Sequence, residues 1–158
     1  MAAGAYGPIL PRDPRIFSAG TISIPEAASL TIKRGTPVVY DSAGRADAAA
    51  TSFTSVFGIS AEDGHNGTAG QYELLVWPIK QGEKWQVSLL EALAQTTLGD
   101  TNVGFVKDST TGYWYASTAD AGAQARVVDY IKGPAGLAIG DTKAQVEIVF
   151  HTTILQVT

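Results

Sequence analysis

Residues 34–79 read RGTPVVYDSAGRADAAATSFTSVFGISAEDGHNGTAGQYELLVWPI, and this stretch decides the fold class. Arg34-Gly35 is a turn, and Pro37–Tyr40 after it is a short run rich in β-branched residues. Asp41-Ser42-Ala43-Gly44 has the chemistry of a hairpin turn, with an aspartate that bonds its own backbone and a glycine free to take positive φ. Phe53–Ser60 is a second short run, Glu62–Gly70 a polar loop, and Gln71–Ile79 the most apolar strand of the chain. Short apolar runs punctuated by turn residues spell strands.

The same grammar continues on both sides. Upstream, Thr21–Ile24 alternates and Leu30–Lys33 leads into the Arg34-Gly35 turn. Downstream, Lys84–Leu89 pairs with Gln71–Ile79 across Gln81-Gly82. Val103–Lys107, a turn at Asp108–Gly112, Tyr113–Ser117, Arg126–Ile131, a loop over Lys132–Thr142 and Ala144–Phe150 complete the series. Ser88–Gln95 (SLLEALAQ) is the one stretch that suits a short helix; the alternative is a strand running on into a loop. The expected fold is therefore all-β, a small barrel or sandwich, with an extended N-terminal arm at residues 1–20, a β domain at 21–150 and a C-terminal tail or edge strand at 151–158.

The halves of the β domain echo one another, which leaves open two related β units over 27–80 and 96–150 or two unrelated hairpins with common turn chemistry. Arg34-Gly35-Thr36 and Asp41-Ser42 stand against Leu98-Gly99-Asp100-Thr101 and Asp108-Ser109, and Val56–Ile59 against Val127–Ile131. The closing strands align as Tyr72-Glu73-Leu74-Leu75-Val76 against Gln145-Val146-Glu147-Ile148-Val149.

Residues 1–20 contain Pro8, Pro11 and Pro14, so the stretch reads as extended and non-helical. Tyr6, Ile9, Leu10, Ile16 and Phe17 punctuate it. Spaced apolar anchors on an extended arm suit contact with a partner; the alternative is a tail folded over its own domain.

With 158 residues the chain fits one ordinary domain or two very small ones, and it has no cysteine, which excludes disulfides and thiol catalysis. Only 16% of residues are charged, with a net charge of -4, which together with 17 glycines suggests a surface partly covered by something else. The 11 Lys and Arg are scattered singly, so no basic stripe marks a nucleic-acid partner. No apolar run approaches the roughly 18–20 residues of a membrane span, and the N-terminus lacks the basic start and apolar core of a secretory signal.

The pattern of Lys33–Ala50 (KRGTPVVYDSAGRADAAA), Ser55–Asp63 (SVFGISAED) and Ala69–Ile79 (AGQYELLVWPI), with its second copy after Leu98, resembles the capsid cement or head-decoration proteins of tailed phages. The likeness covers roughly residues 27–150. It implies a virion structural protein, made in the host cytoplasm, that binds the major capsid protein on the capsid exterior and bridges capsomers. It also implies a homo-oligomer, with a trimer favoured, and no membrane or nucleic acid as partner.

Nothing in the sequence spells an enzyme or a cofactor site. G-x-S-x-G, Walker and dinucleotide motifs are missing, as is HExxH, and Asp100, Asp108 and Asp141 lack calcium-loop spacing. His65, in Glu62-Asp63-Gly64-His65-Asn66, reads as a polar loop tip, and His151 as a strand end. Tyr113-Trp114-Tyr115 places its middle ring opposite to its neighbours on a strand. Trp114 is thus a candidate for a subunit interface, or for a sugar-stacking surface if the chain is a carbohydrate- or receptor-binding virion module. A tail or other virion component is the remaining alternative.

Overall fold

The structure, a computed structural model, describes residues 6–51, 53–92, 94, 101–119, 124–131 and 140–156. Among the described residues eleven strands form in chain order: β1 (Leu10–Pro11), β2 (Ile22–Pro25), β3 (Pro37–Tyr40), β4 (Ala46–Ala48), β5 (Gly58–Ser60), β6 (Glu73–Pro78), β7 (Lys84–Ser88), β8 (Thr101–Lys107), β9 (Trp114–Ser117), β10 (Ala125–Tyr130) and β11 (Gln145–Phe150). A helix, α1 (Pro14–Ala19), lies between β1 and β2. The strands make two antiparallel sheets, ordered β2-β6-β5-β3-β4 and β1-β7-β11-β10-β8-β9, which pack face to face as a sandwich.

Apart from β1, the two sheets share one strand order and one register. Ile22 opposite Val76 matches Trp85 opposite Ile148, and Val38 opposite Gly58 matches Val103 opposite Ala125. Tyr40 opposite Ala46 matches Phe105 opposite Ala116, and Gly58 opposite Pro78 matches Ala125 opposite Phe150. Each sheet also curls until strands far apart in its order meet through a single parallel bridge, Glu26 after β2 to Ala46 of β4 in one and Leu89 after β7 to Ala116 of β9 in the other.

This register corrects the alignment read from sequence. Glu73, not Tyr72, occupies the place of Gln145, and a one-residue slip exchanges the two faces of a strand. The turn aspartates Asp41 and Asp108 play the same part, each opening a turn closed by its backbone N–H, to Arg45 and to Tyr113. The second lies two residues further along because β8 and β9 are longer than β3 and β4. Leu98, Gly99, Asp100 and most of Lys132–Thr142 lie outside the described residues.

Inside the first sheet Leu30, Ile32, Val38, Ala46, Phe57, Leu74 and Val76 make one core. The larger core fills the second sheet and the space between the sheets, where Ile59 and Trp77 of the first meet the cluster around Trp85, Phe105 and Trp114. Phe53 enters this cluster from the β4–β5 connection, its ring 5.9 Å from Phe105. The amide of buried Gln124 holds it there, Nε2 donating to the Phe53 carbonyl and Oε1 accepting from Phe105 N–H.

The expected pairing of Lys84–Leu89 with Gln71–Ile79 does not form, because the chain crosses between sheets at Gln81-Gly82: β6 pairs with β2 and β5, and β7 with β1 and β11. Other expectations fail for local reasons. Residues 88–92 form no helix: β7 ends at Ser88, and Leu89 is fully buried in the bridge to Ala116. Tertiary burial of leucine on a strand overrides its helix propensity. Residues 93 and 95 lie outside the described residues.

The N-terminal segment is neither fully extended nor free. Leu10–Pro11 pairs with β7, and residues 14–19 are helical although proline begins them. Proline excludes only a helix interior; at the first position its missing N–H is unneeded and its φ is already helical. Asp13 caps the helix, accepting from Arg15 N–H at 2.9 Å. Gly35, at φ 85°, lets the segment lie close, since a Cβ there would strike Pro8 and the Ile9 backbone. Ile9 is fully buried in the main core. At the other end, a 3-10 turn (Thr152–Ile154) leads to Leu155, which bridges Val56 in parallel, and Gln156 N–H donates to the Val56 carbonyl.

Ile9→Ala should therefore destabilise the protein by about 2–5 kcal/mol, as core truncations do, measured by urea unfolding. A loss under about 0.5 kcal/mol, the size of a surface change, would contradict the packing.

Candidate functional site

The outward side of the N-terminal segment and the adjoining part of the first sheet form the candidate site. The turn of α1 directs Ile16 onto the main core and Phe17 onto Trp77, ring centroids 5.6 Å apart. The Arg34 guanidinium lies 5.4 Å from the centroids of both rings. It is held by its Nε donating to the Ala61 carbonyl at 3.2 Å, while Asp63 accepts its backbone N–H at 2.7 Å. Ala61 N–H in turn donates to the Leu75 carbonyl. Leu75 shares a face of β6 with Trp77, and Ser23 of β2 stands opposite it. Phe17 is 43% exposed and Leu75 42% exposed, so two large apolar side chains, one packed on Trp77 and the other two residues along the same strand face, remain open to solvent.

A second aromatic cluster lies on β9. Tyr6 stacks on Tyr115 at 4.8 Å with planes 19° apart, and Lys143 Nζ sits 4.6 Å from the Tyr6 centroid. Lys33 Nζ is 4.8 Å from the Tyr113 ring. Burial, then the nearby Tyr115, Asp108 and Glu91, push the Tyr6 phenol above its ordinary value. Tyr113 and Tyr115 thus face outward, but each has a ring face already engaged.

The candidate partner residues divide accordingly. Phe17 is exposed, Tyr6, Leu10 and Ile16 are half-buried, and Ile9 belongs to the core. Trp114 is a correction: at 2% exposure it packs edge-on against Phe53 and offers nothing to a partner or a sugar. Alternation on the strand holds, but the middle ring is the one that points inward. Trp77 and Trp85 are core residues as well. Ile22, Tyr72 and Leu75 are exposed residues that the sequence reading missed; period-two alternation through Glu73–Trp77 separates Leu75 from Leu74, which is the signal that could have found it.

The loop at 62–70 holds the one close histidine–carboxylate contact among the described residues. Glu26 is 1% exposed, and His65 Nδ1 lies 2.5 Å from its Oε1 while His65 N–H donates to both carboxylate oxygens. Tyr72 stacks on the imidazole at 5.2 Å, and Glu62 lies 4.0 Å from Nε2. The hydrogen bond to Glu26 raises the His65 pKa above its ordinary value; exposure to Glu62 adds to this, and desolvation opposes it. His65 is thus a clasp for the loop rather than a bare tip. The equivalent of Glu26 in the second sheet is Leu89.

A shallow cavity of about 400 Å³ lies between α1 and the β6–β7 turn, lined by Asp13, Ile16, Gln81, Gly82, Glu83 and Lys84. Its carboxylates are engaged, Asp13 with Arg15 and Glu83 with Lys80 N–H at 2.6 Å. Burial pushes the Glu83 carboxyl above its usual range. Among the described residues no group of three His, Asp or Glu side chains is placed to hold a metal ion. A scan against protein-family models finds no match for the chain, and a search of curated proteins finds none either.

The clasp predicts a pH dependence of known sign. A folded-state histidine pKa above the unfolded value, about 6.5, contributes stability that is complete below that value and is lost as pH rises through the folded one. The urea midpoint should fall between about pH 6 and pH 8 in the native protein, and fall less in Glu26→Leu, which carries the residue of the second sheet. Parallel pH profiles for the two proteins would remove the clasp.

Proposed function

We propose that the chain is a virion structural protein that decorates the outside of an icosahedral phage capsid, binding the major capsid protein and bridging capsomers as a homo-oligomer, a trimer by preference. The observation that carries this reading is the exposed apolar side chains of Phe17, on α1 and packed on Trp77, and Leu75, on β6. Large exposed apolar side chains on a fixed scaffold suit protein contact, because little conformational entropy is lost when they are covered. The sparse charge of the chain and the sequence pattern of its strands point the same way.

The mechanical logic follows from interface physics. A standard interface buries about 1,600 Å², and a bridge between capsomers adds that area to what must separate before a shell opens. Repetition over a lattice turns a modest affinity into firm retention. A carbohydrate-binding reading is less favoured, because Tyr6 covers Tyr115 and Lys33 covers Tyr113, leaving little free aromatic face. Deleting residues 1–17 is a poor test of the surface, since it would also remove Ile9 from the core.

Point changes on the exposed side chains are cleaner. Phe17→Asp and Leu75→Asp should each keep a single cooperative unfolding transition and weaken co-sedimentation with undecorated heads of the encoding virus by about tenfold or more, the effect of ~1.4 kcal/mol. Unaltered co-sedimentation of both variants would contradict this surface, and failure of the native protein to bind heads would contradict the function.

A further inference from the structure

We propose that the outer edge of β2 is a docking slot for an extended segment of a partner protein, in which a basic residue precedes apolar ones. The proposal goes beyond the capsid reading and does not depend on it.

The second sheet supplies an internal standard for the first. Its leading strand, β7, carries β1 on its outer edge: Leu10 stands opposite Gln86, Pro11 opposite Trp85, and Arg12 N–H donates to the Lys84 carbonyl at 3.0 Å. Under that segment Trp85 is completely buried. The shared register equates Gln86 with Ser23 and Trp85 with Ile22. Yet β2 ends its sheet, with β6 on one side and, among the described residues, only the Glu26 bridge on the other. Ile22, in the place of the buried Trp85, is 37% exposed.

The backbone of β2 is turned correctly for such an addition. Glu26 N–H donates to the Tyr72 carbonyl and its own carbonyl accepts from Gly70, so Glu26 faces the β6 side. Alternation along an antiparallel strand turns Ile24 and Ile22 the same way and Ser23 the opposite way. Both backbone groups of Ser23 therefore face the open edge. Pro25, the next outward residue, has no N–H to offer, so pairing centres on Ser23.

Side-chain exchanges between the sheets specify the occupant. Beside β1, Glu147 pairs with Arg12 at 3.1 Å and with Lys84 at 3.3 Å. In the first sheet the place of Glu147 is taken by exposed Leu75, so an apolar residue replaces the arginine of the segment. The place of Gln145 is taken by exposed Glu73, which accepts from Ser23 Oγ at 2.8 Å. Glu73 stands opposite Pro25, which calls for Lys or Arg two residues before the segment's residue at Ser23. A second copy of this chain fits less well, because its own segment would set Arg12 over Leu75.

The test uses the full-length protein and a synthetic peptide, GKILPVD, which is residues 7–13 with Pro8→Lys and Arg12→Val. Titration followed by amide NMR should give saturable shifts at Ile22–Pro25 and none at Lys84–Ser88. Ser23→Pro, which removes the outward N–H and leaves the β6 ladder intact, should weaken binding about tenfold. Leu75→Glu should reverse the preference toward GKILPRD, the peptide that keeps Arg12. Shifts confined to β7, equal binding by Ser23→Pro, absence of saturation up to about 1 mM, or a free protein already dimeric through β2 by sedimentation would each overturn the proposal.

Discussion

The architecture of this molecule depends on bringing β2 back to β4 in one sheet and β7 back to β9 in the other. A five-stranded antiparallel sheet left open would expose two long edges and one apolar face. Here the single parallel bridges Glu26–Ala46 and Leu89–Ala116 curl each sheet on itself and enclose its inward residues. The curl frees the outward face of the first sheet, with Ile59 and Trp77, to pack against its neighbour. One bridge is made by a buried leucine and needs nothing further. The other is made by a buried glutamate, and a buried carboxylate without partners is costly. The loop at 62–70 answers that cost, bringing His65 and its backbone N–H to the carboxylate.

The two sheets share a plan and differ in what covers them. The N-terminal segment seals the second: Ile9 enters its core, Leu10–Pro11 pairs with its leading strand, and Arg12 neutralises Glu147 on its surface. Among the described residues the first sheet has no such cover on β2, and Ile22 and Leu75 remain exposed. Among the described residues the leading strand of one sheet is thus covered and that of the other is open. That asymmetry, rather than any cluster of reactive side chains, is what the proposed partner face rests on.

The all-β class, the strands after Arg34 and the turn aspartates Asp41 and Asp108 were legible in the sequence because turn chemistry and alternation are local. The echo between the halves was visible too, but its phase at the closing strand was one residue out, since similarity of apolar residues does not fix which face they occupy. Proline count misjudged residues 14–19, where position within the helix matters more than number. The roles of Ile9 and Trp114 were not legible, because an apolar residue looks alike whether its cover is its own core or a partner. Glu26 and His65 are 39 residues apart and meet only through the fold.

The most direct measurement is hydrogen exchange by mass spectrometry on the protein free and bound to undecorated heads. Slowed exchange concentrated in residues 16–25 and 72–77 on binding, with the β8–β9 hairpin unchanged, is the expected result. Slowing confined to 101–117, or none anywhere, would contradict a partner face on the open sheet.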